Sequence, residues 1–364
     1  MTVARAQLDG LTGLRGLAAW LVVFYHIQSG IGGWMPPLAG AAFAKGYLAV
    51  DLFFILSGFV IWLNYADWFT ARGWSGYGPF LQKRLARIWP LHAFVLVLMA
   101  LLGAALALSG RPTGVDYPWS ELPLHFALLQ NWGFTDTLSW NHPAWSISTE
   151  FGAYIAFPLL VLVAKPDRWH TAGLIAAIIG LCALIDGLFI AAGGGGLGSD
   201  IPGLGLLRCL CQFAIGCLLC IIWTRTSQQQ APRIATVAAL GFAVMSGLWY
   251  AGAMDETRAF PLAAASLILC LALCDGARLN LLRWRPIVWL GEISYSTYLV
   301  HFLAWRVFKL LFVSDAAAVS PLQTVFFIAL LLAGSAISYR LIEQPGRRFF
   351  AGIALKRPKA MTPA

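Results

Sequence analysis

Apolar stretches long enough to cross a bilayer recur ten times along this chain, and no other feature constrains its fold as strongly. A hydrocarbon core of ~30 Å needs roughly 20 residues of helix. Such runs stand at 13–30, 46–65, 91–109, 145–164, 171–192, 204–223, 234–252, 259–275, 287–308 and 322–342. In lipid each backbone N–H and C=O must be paired inside the spanning structure, which selects helices here. Some runs are interrupted by Gly, Pro or a charge, so the count reads as nine to eleven. The expected fold class is all-α: a polytopic integral membrane helix bundle with about ten transmembrane helices. Charged residues make up 11% of the chain and mean hydropathy is +0.74, whereas soluble domains carry roughly a quarter charged residues. A soluble enzyme, a disordered chain and a disulfide scaffold are excluded together.

The net charge of +9 does not point to nucleic acid, because the basic residues fall in short clusters between apolar runs. With the N-terminus in the cytoplasm, the inner side holds seventeen Lys and Arg outside the spans and the outer side four, Lys45, Arg111, Arg258 and Lys309. That is a strong positive-inside bias. It places both termini in the cytoplasm and leaves a short basic cytoplasmic tail over 351–364. An apolar run over 17–27 followed by Ala42-Phe43-Ala44 imitates a secretory leader, but the small-residue site comes too far after the run for cleavage. The seven cysteines lie in or beside apolar stretches. Cys217 and Cys220 form a CxxC with no acidic or histidine ligand nearby, which reads as packing rather than metal or redox chemistry. The longest outer loop, 110–144, carries Trp119, Trp132, Trp140, His125 and His142. It reads equally as an interfacial aromatic belt or as a substrate-binding lip. The run 193–196 of four glycines reads as a flexible outer loop.

Charges within spans are costly unless paired or wetted, so each is a functional candidate. Arg15 and His26 share the first span, eleven residues apart. That is three helical turns plus ~20°, so both face one way, ~16 Å apart along the axis. Asp51 opens the second span and Glu150 sits in the fourth. A histidine with a carboxylate in low dielectric is what proton abstraction requires, the carboxylate orienting the imidazole while its other nitrogen takes the proton. The rival reading has Asp51 and Glu150 neutralise buried arginines. Arg84 and Arg87, i and i+3 beside Trp89, suit either generic positive-inside charge or a phosphate-bearing ligand, which guanidinium binds bidentately. Ser57, Ser146 and Ser148 either position a reacting oxygen or bond their own helix. Glu292 and His301 fall on opposite helix faces, Arg340 and Glu343 read as an i,i+3 ion pair, and His92, His125, His142 and His170 show no clear partner.

Taken in order, these segments resemble the membrane-bound acyltransferase-3 family. The stretch from Leu8 to Ala19 continuing to His26 reproduces an Arg-x10-His signature. Asp51-Leu52-Phe53-Phe54 with Ser57-Gly58 follows, then Arg84-x2-Arg87-Ile88-Trp89-Pro90. Trp145-Ser146-Ile147-Ser148-Thr149-Glu150 fits Trp-Ser-x3-Glu. Gly291 to His301 and Tyr339 to Arg348 also match. The likeness covers residues 8 to about 349, so a single acyltransferase-3 transmembrane domain is expected over 1–350. Two departures stand out: Phe151-Gly152-Ala153-Tyr154 after Glu150, and no hydrolase-type soluble domain after the last span.

The resemblance implies a bacterial inner-membrane, acyl-CoA-dependent O-acyltransferase, acetyl-CoA being the default donor. The acceptor would be a hydroxyl of an envelope glycan or related molecule on the outer side. It implies catalytic roles for His26, Glu150 and Asp51, and donor binding by Arg15, Arg84, Arg87, Trp89, Ser57, Trp145 and Ser146, with no metal. On this reading the nucleotide docks on the arginines and the pantetheine arm runs up the bundle toward His26. His26 either deprotonates the acceptor hydroxyl or carries the acyl group itself. A proton-coupled transporter or flippase of a glycan or organic acid is the competing class, and a scaffold in a glycan-assembly complex a third. Acceptor, acyl length and homo-oligomerisation stay open.

Overall fold

The structure is a computed structural model that describes residues 8–277, 280–315 and 318–353. The basic tail lies, from 354 onward, outside the described residues, as do Arg5, Arg278, Lys356, Arg357 and Lys359 of the basic residues counted above. Among the described residues fourteen α-helices follow one another, and there is no strand. They are α1 (Asp9–Ile31), α2 (Pro37–Ala44), α3 (Ala49–Arg72), α4 (Tyr77–Leu108), α5 (Leu122–Phe126), α6 (Trp145–Leu159), α7 (Thr171–Ala191), α8 (Ile201–Arg225), α9 (Ala231–Tyr250), α10 (Glu256–Leu273), α11 (Arg285–Glu292), α12 (Ser294–Phe312), α13 (Pro321–Ser338) and α14 (Gln344–Ile353).

Eight helical stretches among the described residues have the length and apolarity of a span, against the ten read from the sequence. The difference has two sources. Pro37–Leu108 counts as one stretch, but it breaks at Gly73 into α3 and α4; the φ of +55° there is accessible to glycine at little steric cost. The 19-residue α12 is too polar to qualify, because it carries Ser294, Ser296, Thr297, Tyr298 and His301 in its first half and Arg306 and Lys309 in its second.

Small residues set the tightest helix contacts, as expected where lipid and side chains are equally apolar and close packing drives association. On α3 and α8, a Cβ at Gly58 would collide with the Phe213 carbonyl oxygen and one at Gly216 with that of Ile55. Cys217 Sγ reaches the Gly58 oxygen at 3.3 Å, so the CxxC belongs to this packing seam. Likewise a Cβ at Gly16 would lie 2.6 Å from the Gly291 nitrogen, so α1 and α11 meet backbone to backbone. The core runs through α3, α6 and α8, while α9 is almost wholly exposed on the bundle's outside.

The 110–144 segment is anchored to the bundle. Trp140 is completely buried, donating its indole N–H to Pro118 O at 3.1 Å, and Trp119 packs on it edge to face. Asn141 Nδ2 donates to Leu299 O at 3.0 Å and Asn131 Nδ2 to Ile201 O at 3.0 Å. The segment is thus a plug hydrogen-bonded into the bundle. The glycine run is also anchored: Leu197 N donates to Glu256 Oε1 at 2.9 Å, and Glu256 accepts from Lys45 and Tyr47 as well.

Candidate active site

A cavity of about 160 Å3 opens among α1, α3, α4, α6 and α12. Arg15, Arg84 and Arg87 lie on its wall with Glu150, Ser57 and Ser146. Arg15 is held by the α11–α12 junction: its guanidinium donates to Gly291 O at 2.8 and 3.2 Å and to Ser294 Oγ at 3.1 Å. The Gly16–Gly291 approach brings that carbonyl within reach. Arg87 forms an ion pair with buried Glu343, lies over the Tyr295 ring, and Ser296 Oγ donates to the same carboxylate at 2.7 Å. The expected Arg340–Glu343 pair is therefore replaced. A π-helical turn over Tyr339–Glu343 adds a residue to the turn, and Glu343 faces inward while Arg340 is exposed.

Arg84 differs from both. Its Nη2 donates to Tyr65 Oη at 2.8 Å, and the guanidinium lies over the Tyr65 and Tyr154 rings. Its Nε is buried with no hydrogen-bond partner, and no ion pair engages it among the described residues. A half-buried cation with a buried, unused donor is a site prepared for an anion.

Glu150 accepts from Ser57 Oγ and from Tyr154 Oη. Tyr154, i+4 from Glu150, sits where the sequence departs from the family pattern. At the far end of the cavity, Ser146 Oγ and Tyr298 Oη share a hydrogen bond of 2.7 Å, and both reach Pro143 O at 3.1 and 2.9 Å. Tyr298 meets Phe53 edge to face and so closes that end.

His26 stands beyond this wall and does not line the cavity. Its Nδ1 lies 2.8 Å from Val22 O and 3.3 Å from His301 Nε2. His301 Nδ1 in turn lies 2.6 Å from Tyr298 O. Carbonyl oxygens only accept, so each Nδ1 carries the proton. His301 Nε2 is then an acceptor for the His26 Nδ1 proton, and His26 Nε2 is left as an unprotonated base. The two rings are 5.0 Å apart. Phe302 lies against His26 at 5.7 Å and stacks with His142 at 4.8 Å.

The other expected residues are placed elsewhere. Asp51 is fully buried and takes two hydrogen bonds from Arg208 and one from Gln212; Arg208 also donates to Leu197 O. Neither Asp51 nor Glu150 is a hydrogen-bonding partner of His26, contrary to the orientation expected from the sequence. A short polar side chain at the mouth of α3 faced a span-buried arginine on α8, and pairing with it was the closer solution. Trp89 donates to Phe126 O at 2.9 Å and packs on Phe350, away from the cavity. Trp145 is buried against Phe54, with Arg208 over its face. Two of the four histidines without expected partners have them: His92 Nε2 contacts His125 O at 2.8 Å and His125 Nε2 contacts Ser139 Oγ at 3.0 Å; His142 Nε2 lies 3.7 Å from Asp116, too far for a hydrogen bond, and His170 is exposed. His301 and Tyr298 were missed as site residues. The signal was present in Ser294, Tyr298 and His301 at i, i+4 and i+7, a polar stripe on one face of a spanning helix. Among the described residues, no group of three His, Cys, Asp or Glu comes together as a metal site.

Comparison with known proteins identifies the family. The acyltransferase domain family matches residues 8–340. Acyltransferase MdmB of Streptomyces mycarofaciens is 30% identical over 98% of this chain and 95% of its own. O-acetyltransferase OatA of Staphylococcus aureus is 24% identical over 94% of this chain and 57% of its own length, so this chain spans little more than half of that relative. No solved structure matches significantly. With the match running from the α1 motif through α13, the chain belongs to the acyltransferase-3 family of acyltransferases.

Proposed function

We propose that the chain takes an acyl group, acetyl by preference, from cytosolic acyl-CoA and delivers it to a hydroxyl of an envelope glycan or related acceptor on the outer side of a bacterial inner membrane. The observation that carries this reading is Arg84: a half-buried cation on the wall of the cavity, with a buried Nε that has no partner among the described residues, beside Arg15 on the same wall. Donor phosphates would complete its hydrogen bonding, and the positive-inside bias puts that end toward the cytoplasm. The thioester arm would lie along Glu150 and Ser57, with its reactive end against Tyr298. The wall formed by Tyr298 and Phe53 would have to open for the acyl group to meet His26.

His26 Nε2 takes the proton of the acceptor hydroxyl as the new C–O bond forms. The C–S bond breaks, and the leaving thiolate recovers that proton from His26. His301 and Val22 O hold the imidazole in the tautomer that leaves Nε2 bare. Asp51 has no part in the chemistry on this reading; with Arg208 it fixes α3 to α8. Trp89 and Trp145 support the cavity from behind.

The test is acetyl-CoA turnover by purified protein in liposomes, read as free thiol. His26→Ala is expected to lower the rate by about 10²–10⁴-fold, the range for a positioned general base. Undiminished turnover in that variant would remove His26 from the chemistry. Acceptor flux in CoA-free vesicles would favour a carrier.

A further inference from the structure

A second, smaller opening lies in the plug between α4 and α6. It holds about 10 Å3, the space of a single water or hydroxyl. His125, Gln130, Ser139, Asn141, His142 and Trp145 line it together with Thr135 and Thr137, the last of these exposed. Three lining side chains at least nine-tenths buried carry atoms with no partner among the described residues, His125 Nδ1, Gln130 Oε1 and Asn141 Oδ1, and the less buried His142 has an unpaired Nε2 as well.

The chemical sense of each of the first three atoms is fixed by its neighbours. Gln130 Nε2 donates to Ala144 O at 3.2 Å and Asn141 Nδ2 to Leu299 O at 3.0 Å, so each amide leaves its carbonyl oxygen unused. Ser139 Oγ donates its one hydrogen to Glu121 Oε2 at 2.7 Å. Toward His125 Nε2, 3.0 Å away, it can only accept. His125 Nε2 therefore carries the proton and Nδ1 is a bare acceptor. Burial, with His92 and His142 adding to it, pushes the His125 pKa down to about 3, so the ring stays neutral. The pit thus offers three acceptors, and leaving buried acceptors unpaired is costly. Its demand is for a group that brings hydrogen. No carboxylate lines it, so a neutral hydroxyl, whose single hydrogen satisfies one of the three acceptors, fits better than an ammonium.

We propose that this pit docks one hydroxyl of a polyhydroxylated, sugar-like acceptor while a second hydroxyl of the same molecule reaches His26. The inference rests on the reading of His26 as the base. His142, on the pit wall, stacks on Phe302, and His26 meets that same ring edge-on. The pit wall and the base thus contact one and the same aromatic side chain. The volume admits a single hydroxyl, so the rest of the acceptor lies over the exposed rim at Gly133, Phe134 and Asp136.

Two substitutions test this without emptying the core. Gln130→Met keeps the length and removes the acceptor. Ser139→Ala removes the group that fixes the His125 tautomer, freeing Nδ1 to become a donor. Wild type and variants in liposomes receive radiolabelled acetyl-CoA and, as acceptor, a total extract of the cells that make the protein. Each variant is expected to need about tenfold more extract for half-maximal labelling, the effect of one buried hydrogen bond, with an unchanged KM for acetyl-CoA. Pretreating the extract with periodate, which cleaves vicinal diols, should abolish labelling. Wild-type half-saturation in both variants overturns the proposal, including the case where only thermal stability falls and the pit holds a structural water. Labelling that survives periodate overturns the sugar-like class. A wild type that labels nothing brings down the underlying acyl-transfer reading and this proposal with it, whereas variant results alone leave that reading standing.

Discussion

Asp51 and Glu150 are both carboxylates carried by helices in the bundle's core, and both looked like partners for a catalytic histidine. Their surroundings are opposite. Asp51 receives two hydrogen bonds from Arg208 and one from Gln212, within a region closed by Trp145 and Leu197. Its capacity is filled by protein. Among the described residues Glu150 takes hydrogen bonds only from hydroxyls, Ser57 and Tyr154, and it faces a cavity whose wall also carries Arg15 and Arg84. A buried charge that is saturated by its neighbours serves the fold, and one that keeps unfilled capacity beside open volume is available to a ligand. The same distinction separates Arg87, paired with Glu343, from Arg84, whose Nε has no partner.

The comparison is most sharply broken at Asp51. Asp51→Ala strands Arg208 without its counter-charge, and the loss of one partner of a buried pair costs about 3–5 kcal/mol. The expected outcome is a large drop in thermal unfolding temperature in detergent, with a near-normal rate per folded molecule. Removing both charges together, Asp51→Leu with Arg208→Met, should restore much of the stability. Glu150→Gln should unfold as the wild type does and lose turnover. Normal unfolding of Asp51→Ala with turnover lost would place Asp51 in the chemistry.

The sequence made the membrane architecture and the cavity's arginines legible because both are local signals. A spanning helix must be apolar over its length, and Arg15, Arg84 and Arg87 are charges within or beside such helices. Partner choice was not legible, because it depends on which helix faces which. The Arg208–Asp51 pair joins residues 157 positions apart, and nothing in either segment announces the other. The Arg340–Glu343 expectation failed for a different reason. It assumed an ideal α-helical register, and the π-turn over Tyr339–Glu343 turned Glu343 inward to Arg87. The His26–His301 pairing joins residues 275 apart. Only the polar stripe on α12 hinted that this helix faced the site.

A smaller effect is expected at the two arginines, and of a different kind at each. Arg84→Met keeps the stem against Tyr65 and removes the charge. No carboxylate is left stranded, so thermal unfolding should hardly change. The KM for acetyl-CoA should rise about 10- to 100-fold, as for loss of a charged hydrogen bond of about 1.5–3 kcal/mol. Arg87→Met instead strands Glu343 and should lower stability as well as turnover. If Arg84→Met destabilises the protein and leaves the donor KM alone, Arg84 belongs with Asp51 among the structural charges.

The smallest expected effect lies at His301 and separates orientation from proton transfer. Two acceptors face the His26 Nδ1 proton, and Val22 O, at 2.8 Å, is closer than His301 Nε2 at 3.3 Å. A backbone carbonyl cannot be removed by side-chain substitution, so in His301→Leu the tautomer survives on Val22 alone. The loss is one neutral hydrogen bond, about 0.5–1.5 kcal/mol, or roughly two- to tenfold in kcat, with the donor KM unchanged. His301→Gln can offer its Oε1 near the vacated Nε2 position and should recover most of that loss, although it cannot take up a proton. A fall of about a thousandfold, in the range of a group that itself transfers a proton, shared by the Gln and Leu variants, would mean that His301 moves the proton rather than holding it. In that case the base at this site is the histidine pair, and His26 alone is only its outer half.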